Sequence, residues 1–157
     1  MEMIWHRHLG IYGICIEHEQ LLVIHKNGGP YTGRFDLPGG SIEPNESILK
    51  TIVREFLEET GISIRVLSNI GTKDFIVPWK RSNFDHTHCH HIAVFYEVTR
   101  MSGSIEESPN IGDSLGAAWV SINDLNEHNS SPLVIEAMQW IQYKQFNIET
   151  KEYLAVL

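Results

Sequence analysis

Residues 39–62 limit what this chain can fold into more than any other part of the sequence. If the second half of this stretch is helical, each residue turns by about 100°, so Glu55, Glu58 and Glu59 share one face. The apolar residues of the stretch fall on the neighbouring face, namely Leu49, Ile52, Val53, Phe56 and Leu57. Such a helix packs through its apolar face and leaves three adjacent carboxylates available for chemistry.

Three carboxylates at this spacing repel one another by about 0.2–0.5 kcal/mol per pair, and a bound cation would remove that conflict. Carboxylate oxygens suit Mg²⁺ or Mn²⁺, which keep several waters and complete their coordination with substrate phosphates. The carboxylates therefore predict a divalent-metal site that works on phosphates. A solvated acidic helix face remains the alternative if the three glutamates are considered alone.

A wider pattern of nine positions includes these glutamates. It consists of Gly40, Glu46, Arg54, Glu55, Phe56, Glu58, Glu59, Gly61 and Ile62. The pattern (residues 40–62) resembles the Nudix box and departs from it at none of the nine positions. The resemblance covers about residues 8–143, and it implies an α/β/α sandwich with a mixed β-sheet, hence an α/β or α+β fold class.

In the Nudix family this segment binds divalent cations, and water attacks a phosphorus of a diphosphate. Carried over by position, Glu55, Glu58 and Glu59 are the expected metal ligands, together with the backbone carbonyl of Gly39. Arg54 is expected to form an orienting ion pair with Glu46. Clustered metals suit such a reaction because it needs positioning and neutralisation of charge on the phosphate oxygens.

The general base is open. Glu55 is one candidate, and Asp113 is another because it lies six residues before Trp119, where MutT-type members place an extra acidic ligand. Glu106 and Glu107 lie further from that strand and are weaker candidates. A turn residue beside Gly112 is the alternative interpretation of Asp113. The predicted catalytic set is thus Glu55, Glu58, Arg54 and Asp113.

The segment after residue 78 combines a flat aromatic surface with two cations. Trp79 can stack on a base, and Lys80 and Arg81 can contact phosphates, although a plain surface loop is nearly as good an interpretation. Arg34 and His90 complete the set of predicted substrate-binding residues.

The histidine-rich residues 86–91 could suggest zinc. Strand alternation, however, sends His88 and His90 to one face and Cys89 and His91 to the other. Histidines at the edge of a substrate pocket and structural histidines are therefore the better alternatives.

Composition limits the partners. The 157 residues fit a single domain, with residues 147–157 unassigned, and the net charge of −8 gives no cationic surface for long nucleic acid. No apolar run approaches about 18 residues and no signal peptide is visible, so we expect a cytoplasmic protein without a membrane span. Cys15 and Cys89 are expected to be free thiols. Homodimerisation is expected from relatives alone, since nothing in the sequence fixes an interface.

Local patterns predict the main elements. Residues 8–17 and 20–26 alternate as a hairpin, and further strands are expected at 62–77 with a break at Gly71, at 88–99 and at 117–121. A first helix is expected over residues 45–60, with Asn45 as N-cap and Gly61 at its end. Ser131 and Pro132 predict the start of a second helix.

The resulting prediction is a Mg²⁺- or Mn²⁺-dependent hydrolase. Its expected substrate is a nucleoside triphosphate or a nucleoside diphosphate derivative of the sugar-nucleotide or ADP-ribose type. A noncatalytic nucleotide-sensing domain is the main alternative, and it would be expected to lose carboxylates that this chain retains. A prenyl diphosphate isomerase is disfavoured because its further catalytic residues cannot be placed.

Overall fold

The computed structural model of this chain describes residues 2–105 and 114–157. Asp113 lies outside the described residues, as do Glu106 and Glu107, so their predicted roles stay predictions. Within the described ranges, the chain forms nine strands and two α-helices. The helices are α1 (Ile48–Thr60) and α2 (Pro132–Tyr143). The strands are β1 (Trp5–Ile14), β2 (Ile16–Glu17), β3 (Gln20–Lys26), β4 (Phe35–Asp36), β5 (Gly39–Gly40), β6 (Ile62–Pro78), β7 (His88–Gly103), β8 (Ser114–Ser121) and β9 (Lys151–Glu152).

The strands form two sheets. The larger sheet has the order β5-β1-β7-β6-β9, with β1 parallel to β7, β9 parallel to β6 and the other neighbours antiparallel. In the smaller sheet, β3 pairs with β2, β4 and β8, all antiparallel. A mixed larger sheet together with two helices confirms the predicted fold class.

Side-chain alternation along β1 separates two hydrophobic cores. Ile11 points to one face and packs in a cluster with Ile52 and Phe56 of α1. Tyr12 points to the other face, in a cluster that contains Trp140 of α2. The apolar face predicted for α1 therefore seats this helix on one side of the large sheet, and α2 packs on the opposite side.

The start of α1 differs from the expectation. The N-cap is Ser47, whose side-chain oxygen accepts a hydrogen bond from the backbone N–H of Lys50, and the helix begins at Ile48. Asn45 was the predicted cap, but it adopts a left-handed conformation with φ of 62° in the turn before the helix. Asn and Ser are both good caps. With Ser47 as the cap, Glu46 lies before the helix, and its carboxylate accepts hydrogen bonds from Thr51 and Arg54 of α1. The predicted end at Gly61 is confirmed, with φ of 74°.

The predicted break at Gly71 is wrong, because β6 continues through it. Gly71 lies at a register shift against β7, with φ of 139°, which is a β-bulge in an unbroken strand. A Cβ on Gly71 would meet the ring of Phe146 at 2.9 Å. The glycine thus makes room for an aromatic side chain from the end of the protein.

Other local predictions are confirmed. His18 and Glu19, with φ of 50° and 62°, form the tight turn of the β2–β3 hairpin. Ser131 caps α2 by accepting from the N–H of Val134, with Pro132 in its first turn. Cys15 and Cys89 are buried free thiols.

The C-terminal residues, unassigned from sequence, dock on the edge of the large sheet as β9. Lys73 of β6 is only 3% exposed, and its ammonium donates to the carbonyls of Asn147 and Glu149. Tyr153 donates its backbone N–H to Ile76. None of the helices in the described ranges is long and apolar enough to cross a membrane.

Candidate active site

Arg54 lies at the centre of the acidic face of α1. Its guanidinium donates two hydrogen bonds to Glu46, at 2.6 and 2.8 Å, so the predicted orienting ion pair is formed. The same group donates to Glu55 at 3.0 Å and to Glu58 at 3.1 Å. The hydrogen bonds from Arg54, followed by one from Thr51, lower the pKa of Glu46 to about 2. One cation therefore holds three of the carboxylates in place.

Glu59 points inward from the next position of the helix. It is 7% exposed and accepts a hydrogen bond of 2.8 Å from the backbone N–H of Gly39. Burial raises the pKa of Glu59 to about 8, with a smaller contribution from the nearby charge of Glu55. Burial also raises the pKa of Glu55, although Arg54 opposes that shift. Two of the three predicted metal ligands are therefore carboxylates whose negative charge is poorly solvated.

The two glycines of β5 bring the backbone close to these carboxylates. Gly39 pairs with Tyr12 and Gly40 with Ile11, so β5 forms the edge of the large sheet beside α1. A Cβ on Gly40 would lie 2.8 Å from a carboxylate oxygen of Glu55. A side chain at this position would displace the Glu55 carboxylate, which explains why the site needs a glycine there.

The chemistry of these donors fits a hard divalent cation. In the described ranges, no three His, Cys, Asp or Glu side chains already converge on a point that could hold a metal. The reason is visible in the contacts, since Arg54 engages Glu55 and Glu58 while Glu59 bonds to Gly39. All candidate ligands are nonetheless oxygens, and their desolvated negative charge is what Mg²⁺ or Mn²⁺ would neutralise.

A cavity of about 560 Å³ opens next to these residues. Trp79, Lys80 and Arg81, three of the predicted substrate-binding residues, line it from one side. Tyr12 and His91 line it as well, and the backbone of Tyr12 pairs with Gly39. Lys26 also lines the cavity, and its charge acts on both Glu55 and Glu59, which puts the cavity near the carboxylate cluster. The volume of the cavity is typical of a small-molecule site.

Aromatic rings and cations lie together at the cavity wall. The guanidinium of Arg81 lies 5.9 Å from the ring centroid of Trp79 and 4.2 Å from that of Phe84. The imidazole of His6 is 5.7 Å from Trp79 and 5.0 Å from His86. These tilted rings, together with the guanidinium of Arg81, form an aromatic and cationic surface beside the loop after β6.

Comparison with known sequences settles the family. The NUDIX domain model matches residues 5–148. This chain belongs to the NUDIX family. It is similar to an ADP-ribose pyrophosphatase of Methanocaldococcus jannaschii, with 36% identity over 66 residues, which are 42% of this chain and 39% of that protein. The chain thus spans less than half the length of this relative.

Solved structures share the NUDIX fold. A NUDIX hydrolase from Nitrosomonas europaea aligns with a TM-score of 0.70 at 20% identity, covering 91% of this chain and 93% of its own. The NUDIX domain of Shewanella oneidensis NrtR, solved in complex with ADP ribose, aligns with a TM-score of 0.61 at 18% identity, covering 88% and 86%. At these identities, the likeness concerns the fold alone.

Two predicted substrate-binding residues lie away from the cavity. Arg34 donates from Nη1 to the carbonyls of Glu127 at 2.7 Å and Ser130 at 3.2 Å, so it ties down the loop before α2. His90 lies on the outer face of β7, where it bonds to Asp74 at 2.8 Å. Neither residue lines this cavity, and their predicted part in substrate binding stays a prediction.

Within the histidine-rich residues 86–91, His91 is the histidine that lines the NUDIX cavity, and alternation had placed it on the face opposite His90. His90 was the predicted substrate-binding residue, whereas His91 is 2% exposed. No three of the described His and Cys side chains are arranged around a common point in this NUDIX domain. His88 bonds instead to the hydroxyl of Thr87 at 2.8 Å.

Lys26 is a functional candidate that sequence reasoning missed. It is the last residue of β3, lines the cavity, and precedes the Gly28–Gly29 turn by two residues. Burial raises the pKa of Glu55 and Glu59, and the positive charge of Lys26 partly offsets this for both. The sequence feature that could have indicated Lys26 is a cation at a strand end, two residues before paired glycines. Backbone N–H groups and a cation at such a place together favour anion binding.

Proposed function

We propose that this protein is a Mg²⁺- or Mn²⁺-dependent hydrolase that cleaves a diphosphate bond in a nucleoside triphosphate or a nucleoside diphosphate derivative. The observation that carries the proposal is the junction of two features at Lys26, which lines the cavity and whose charge acts on Glu55 and Glu59. One is the Arg54-centred carboxylate cluster, and the other is the cavity lined by Trp79, Lys80 and Arg81. A substrate with a ring at one end and a diphosphate at the other matches that junction.

The cavity residues account for binding. Stacking of a base on an aromatic ring contributes about 1–3 kcal/mol, and the indole of Trp79 supplies such a surface. Lys80 and Arg81 at the same wall, with Lys26 between the cavity and the carboxylates, offer cations for the phosphates. In this arrangement the diphosphate extends from the cavity towards β5 and α1.

Glu55, Glu58, Glu59 and the Gly39 carbonyl are the groups that would hold the metal, which when bound supplies charge neutralisation on phosphate oxygens and a more acidic water. The other residues keep these ligands in position. Glu46 fixes Arg54, and Arg54 in turn fixes Glu55 and Glu58. Glu55, held by a hydrogen bond of 3.0 Å from Arg54, is the first candidate for the general base. Asp113 remains the second candidate for that role.

Relatives favour the nucleoside diphosphate derivatives within this class. One similar protein is named as an ADP-ribose pyrophosphatase, and one protein of the same fold was solved with ADP ribose. We therefore place ADP-ribose-type substrates first. The net charge of −8 supports a small anionic substrate over long nucleic acid. A single domain, a cytoplasmic location and a homodimer stay predictions.

A product-resolved screen tests the proposal. Purified protein is incubated with nucleoside triphosphates, ADP-ribose and sugar nucleotides, each with Mg²⁺, with Mn²⁺ and with excess chelator. We expect cleavage at a diphosphate bond that requires the metal. Full activity in chelator would refute the metal dependence, and tight binding without turnover would favour the nucleotide-sensing alternative.

A further inference from the structure

Four side chains at the cavity wall form one continuous hydrogen-bonded chain. The hydroxyl of Tyr31 lies 2.9 Å from Nδ1 of His91, and Nε2 of His91 lies 2.9 Å from the hydroxyl of Tyr12. The hydroxyl of Tyr12 lies in turn 3.4 Å from Nε2 of His8. All four residues line the cavity. Their order is Tyr31, His91, Tyr12, His8, and we call this the Tyr–His chain.

The imidazole of His91 is neutral in this environment. It is 2% exposed, and both of its ring nitrogens face tyrosine hydroxyls. Burial lowers the pKa of His91 well below its usual value, and the positive charges of His8 and Lys26 add to that effect. A neutral imidazole has one N–H donor and one acceptor nitrogen. One tyrosine therefore donates to His91, and the other receives its N–H.

The tyrosine that receives the N–H keeps its own O–H for another partner, so the Tyr–His chain has a direction. In one direction, Tyr31 donates to His91, His91 donates to Tyr12, and Tyr12 donates to His8. In the other direction every bond is reversed, and Tyr31 has an O–H to donate. In the described ranges, His91 is the only hydrogen-bond partner of the Tyr31 hydroxyl.

We propose that the hydroxyl of Tyr31 forms a hydrogen bond with the polar edge of the ring bound in the cavity, and that reversal of the Tyr–His chain lets this hydroxyl pair with either a donor or an acceptor on that edge. It accepts from an amino group in the first direction and donates to a ring nitrogen or carbonyl in the second. His91, Tyr12 and His8 are positioning residues, since they set the direction without needing to touch the ligand. This inference rests on the proposed nucleotide binding.

Two nucleotide probes that differ at this edge test the inference without catalysis. Purine riboside 5′-monophosphate presents the ring nitrogen N1 as an acceptor at this edge. In 1-deazaadenosine 5′-monophosphate a C–H replaces N1, and the amino group on the neighbouring C6 is the donor at the same edge. Their affinities are measured by calorimetry with chelator present. Because the chain reverses, the wild type is expected to bind the two within about threefold of each other.

Tyr12→Phe should fix the direction. The variant leaves Nε2 of His91 without its partner, and a buried unpaired N–H there is more costly than a bare acceptor nitrogen. The N–H therefore settles on Nδ1 and points to Tyr31, whose O–H then faces the ligand. We expect purine riboside 5′-monophosphate to bind about five- to tenfold more tightly than the amino probe.

Two further variants distinguish a preference caused by the direction of the Tyr–His chain from one caused by a general change in the shape of the cavity. The preference created by Tyr12→Phe should vanish in the double variant Tyr12→Phe/Tyr31→Phe. His6→Phe changes another cavity-lining ring outside the Tyr–His chain, and it should alter both affinities by the same factor. An unchanged ratio in Tyr12→Phe, a preference that survives removal of Tyr31, or failure of the wild type to bind either probe would each overturn the inference.

Hydrolysis is tested separately, so the two proposals fail in different ways. Glu58→Gln should abolish turnover but keep the wild-type ratio of affinities, since Glu58 lies on α1 and outside the cavity lining. A protein that shows the Tyr31-dependent preference yet cleaves nothing would retain this inference and lose the proposed function.

Discussion

At the scale of single residues, Arg54 changes how the acidic face of α1 is understood. From the sequence, three glutamates at helical spacing are expected to repel one another until a metal ion binds and removes the repulsion. In the structure, one guanidinium bonds to Glu55, Glu58 and Glu46, so much of that repulsion is already compensated. Glutamate substitutions on this face should therefore change activity far more than stability.

Glu58→Gln tests that separation. Glu58 is 43% exposed and shares Arg54 with two other carboxylates, so we expect its loss to change the free energy of unfolding by less than about 0.5 kcal/mol. Hydrolysis should nevertheless fall by at least about a hundredfold, and the rise in melting temperature caused by Mg²⁺ should shrink. Melts with metal and with chelator, together with activity assays, measure both effects.

Glu43→Gln is the matched control, because Glu43 also lies near Arg54, at 3.6 Å, but is 62% exposed and has no proposed metal role. It should retain activity and the full metal-induced shift. If Glu58→Gln behaves like Glu43→Gln, the acidic face is ordinary solvated surface.

Gly40→Ala tests the close approach of β5 to the carboxylates. The added methyl would lie 2.8 Å from Glu55, so the carboxylate must move to accommodate it. A misplaced group of this kind can cost about a hundredfold in rate, and we expect a loss of at least about tenfold. Unfolding free energy should fall by less than about 1 kcal/mol, since a flexible side-chain end can yield.

Gly33→Ala provides the opposite pattern. Gly33 has φ of 84°, so an alanine there would have a strained backbone, but its Cβ would have no other atom within 4 Å. Stability should drop by about 1 kcal/mol while activity is kept. Equal activity losses in the two variants would contradict a specific role for Gly40.

At the scale of elements, the sequence predicts what is determined locally. The end of α1 at Gly61 and the start of α2 at Ser131 follow from single residues with strong conformational preferences. The start of α1 could not be placed as well, because Asn45 and Ser47 are both competent caps. The choice depends on Glu46, which turns back to bond with Thr51 and Arg54 and fixes the preceding loop.

The Glu46 anchor predicts a specific pH dependence of stability. Hydrogen bonds from Arg54 and Thr51 lower the pKa of Glu46 in the folded protein to about 2 from an ordinary 4.5. A carboxyl with a depressed folded-state pKa stabilises the fold above its unfolded pKa, and this contribution is lost as the pH falls from about 4.5 towards 2. Glu46→Gln should therefore be less stable than the wild type at neutral pH, and the difference should shrink across that range.

Urea unfolding at several pH values, compared between wild type and Glu46→Gln, gives this difference directly. Glu43→Gln serves again as control and should show little difference at any pH, since its contact with Arg54 is long and exposed. A Glu46→Gln difference that stays constant down to about pH 2 would mean that Arg54 does not stabilise the charged form.

At the scale of the whole molecule, the predicted catalytic segment and the cavity differ in how far they could be predicted. The carboxylates, Arg54 and the glycines lie within about 24 consecutive residues, so spacing alone places them together. The cavity is assembled from β1, the end of β3, the loop after it, and the segment around Trp79 and His91. Its composition depends on strand pairing over long sequence distances, and this is why the sequence did not indicate that Lys26, Tyr31 and His91 line it or that Arg34 and His90 do not.

The same sheet separates the candidate site from the C-terminal residues. The strand order puts β5, which carries Gly39 and Gly40, at one edge and β9 at the other. Phe146 fills the space left by Gly71, Tyr153 packs on the core, and the buried ammonium of Lys73 donates to two carbonyls of the C-terminal segment. The C-terminal segment therefore contributes to stability at a distance from the chemistry.

Removal of residues 146–157 should separate stability from catalysis. We expect the free energy of unfolding to drop by roughly 3 kcal/mol or more, from the lost aromatic packing and the unpaired Lys73 ammonium. Below the melting transition, kcat and KM should stay within about twofold of the full chain, because the edge that carries β5 is unchanged. A large fall in kcat would show that the C-terminal segment supports the site.

Lys73→Met provides the decisive comparison. In the full chain it removes the donor to Asn147 and Glu149 and should lower stability. In the truncated chain those acceptors are gone, so replacing the buried ammonium by an apolar side chain should raise stability instead. Glu136 lies 4.0 Å from the Lys73 ammonium, beyond hydrogen-bond distance, so it does not replace the two lost acceptors. The opposite signs of the two effects, measured by urea unfolding of the four proteins, identify Lys73 as the residue that couples the C-terminal segment to the sheet; equal signs would assign the stability loss to aromatic packing alone.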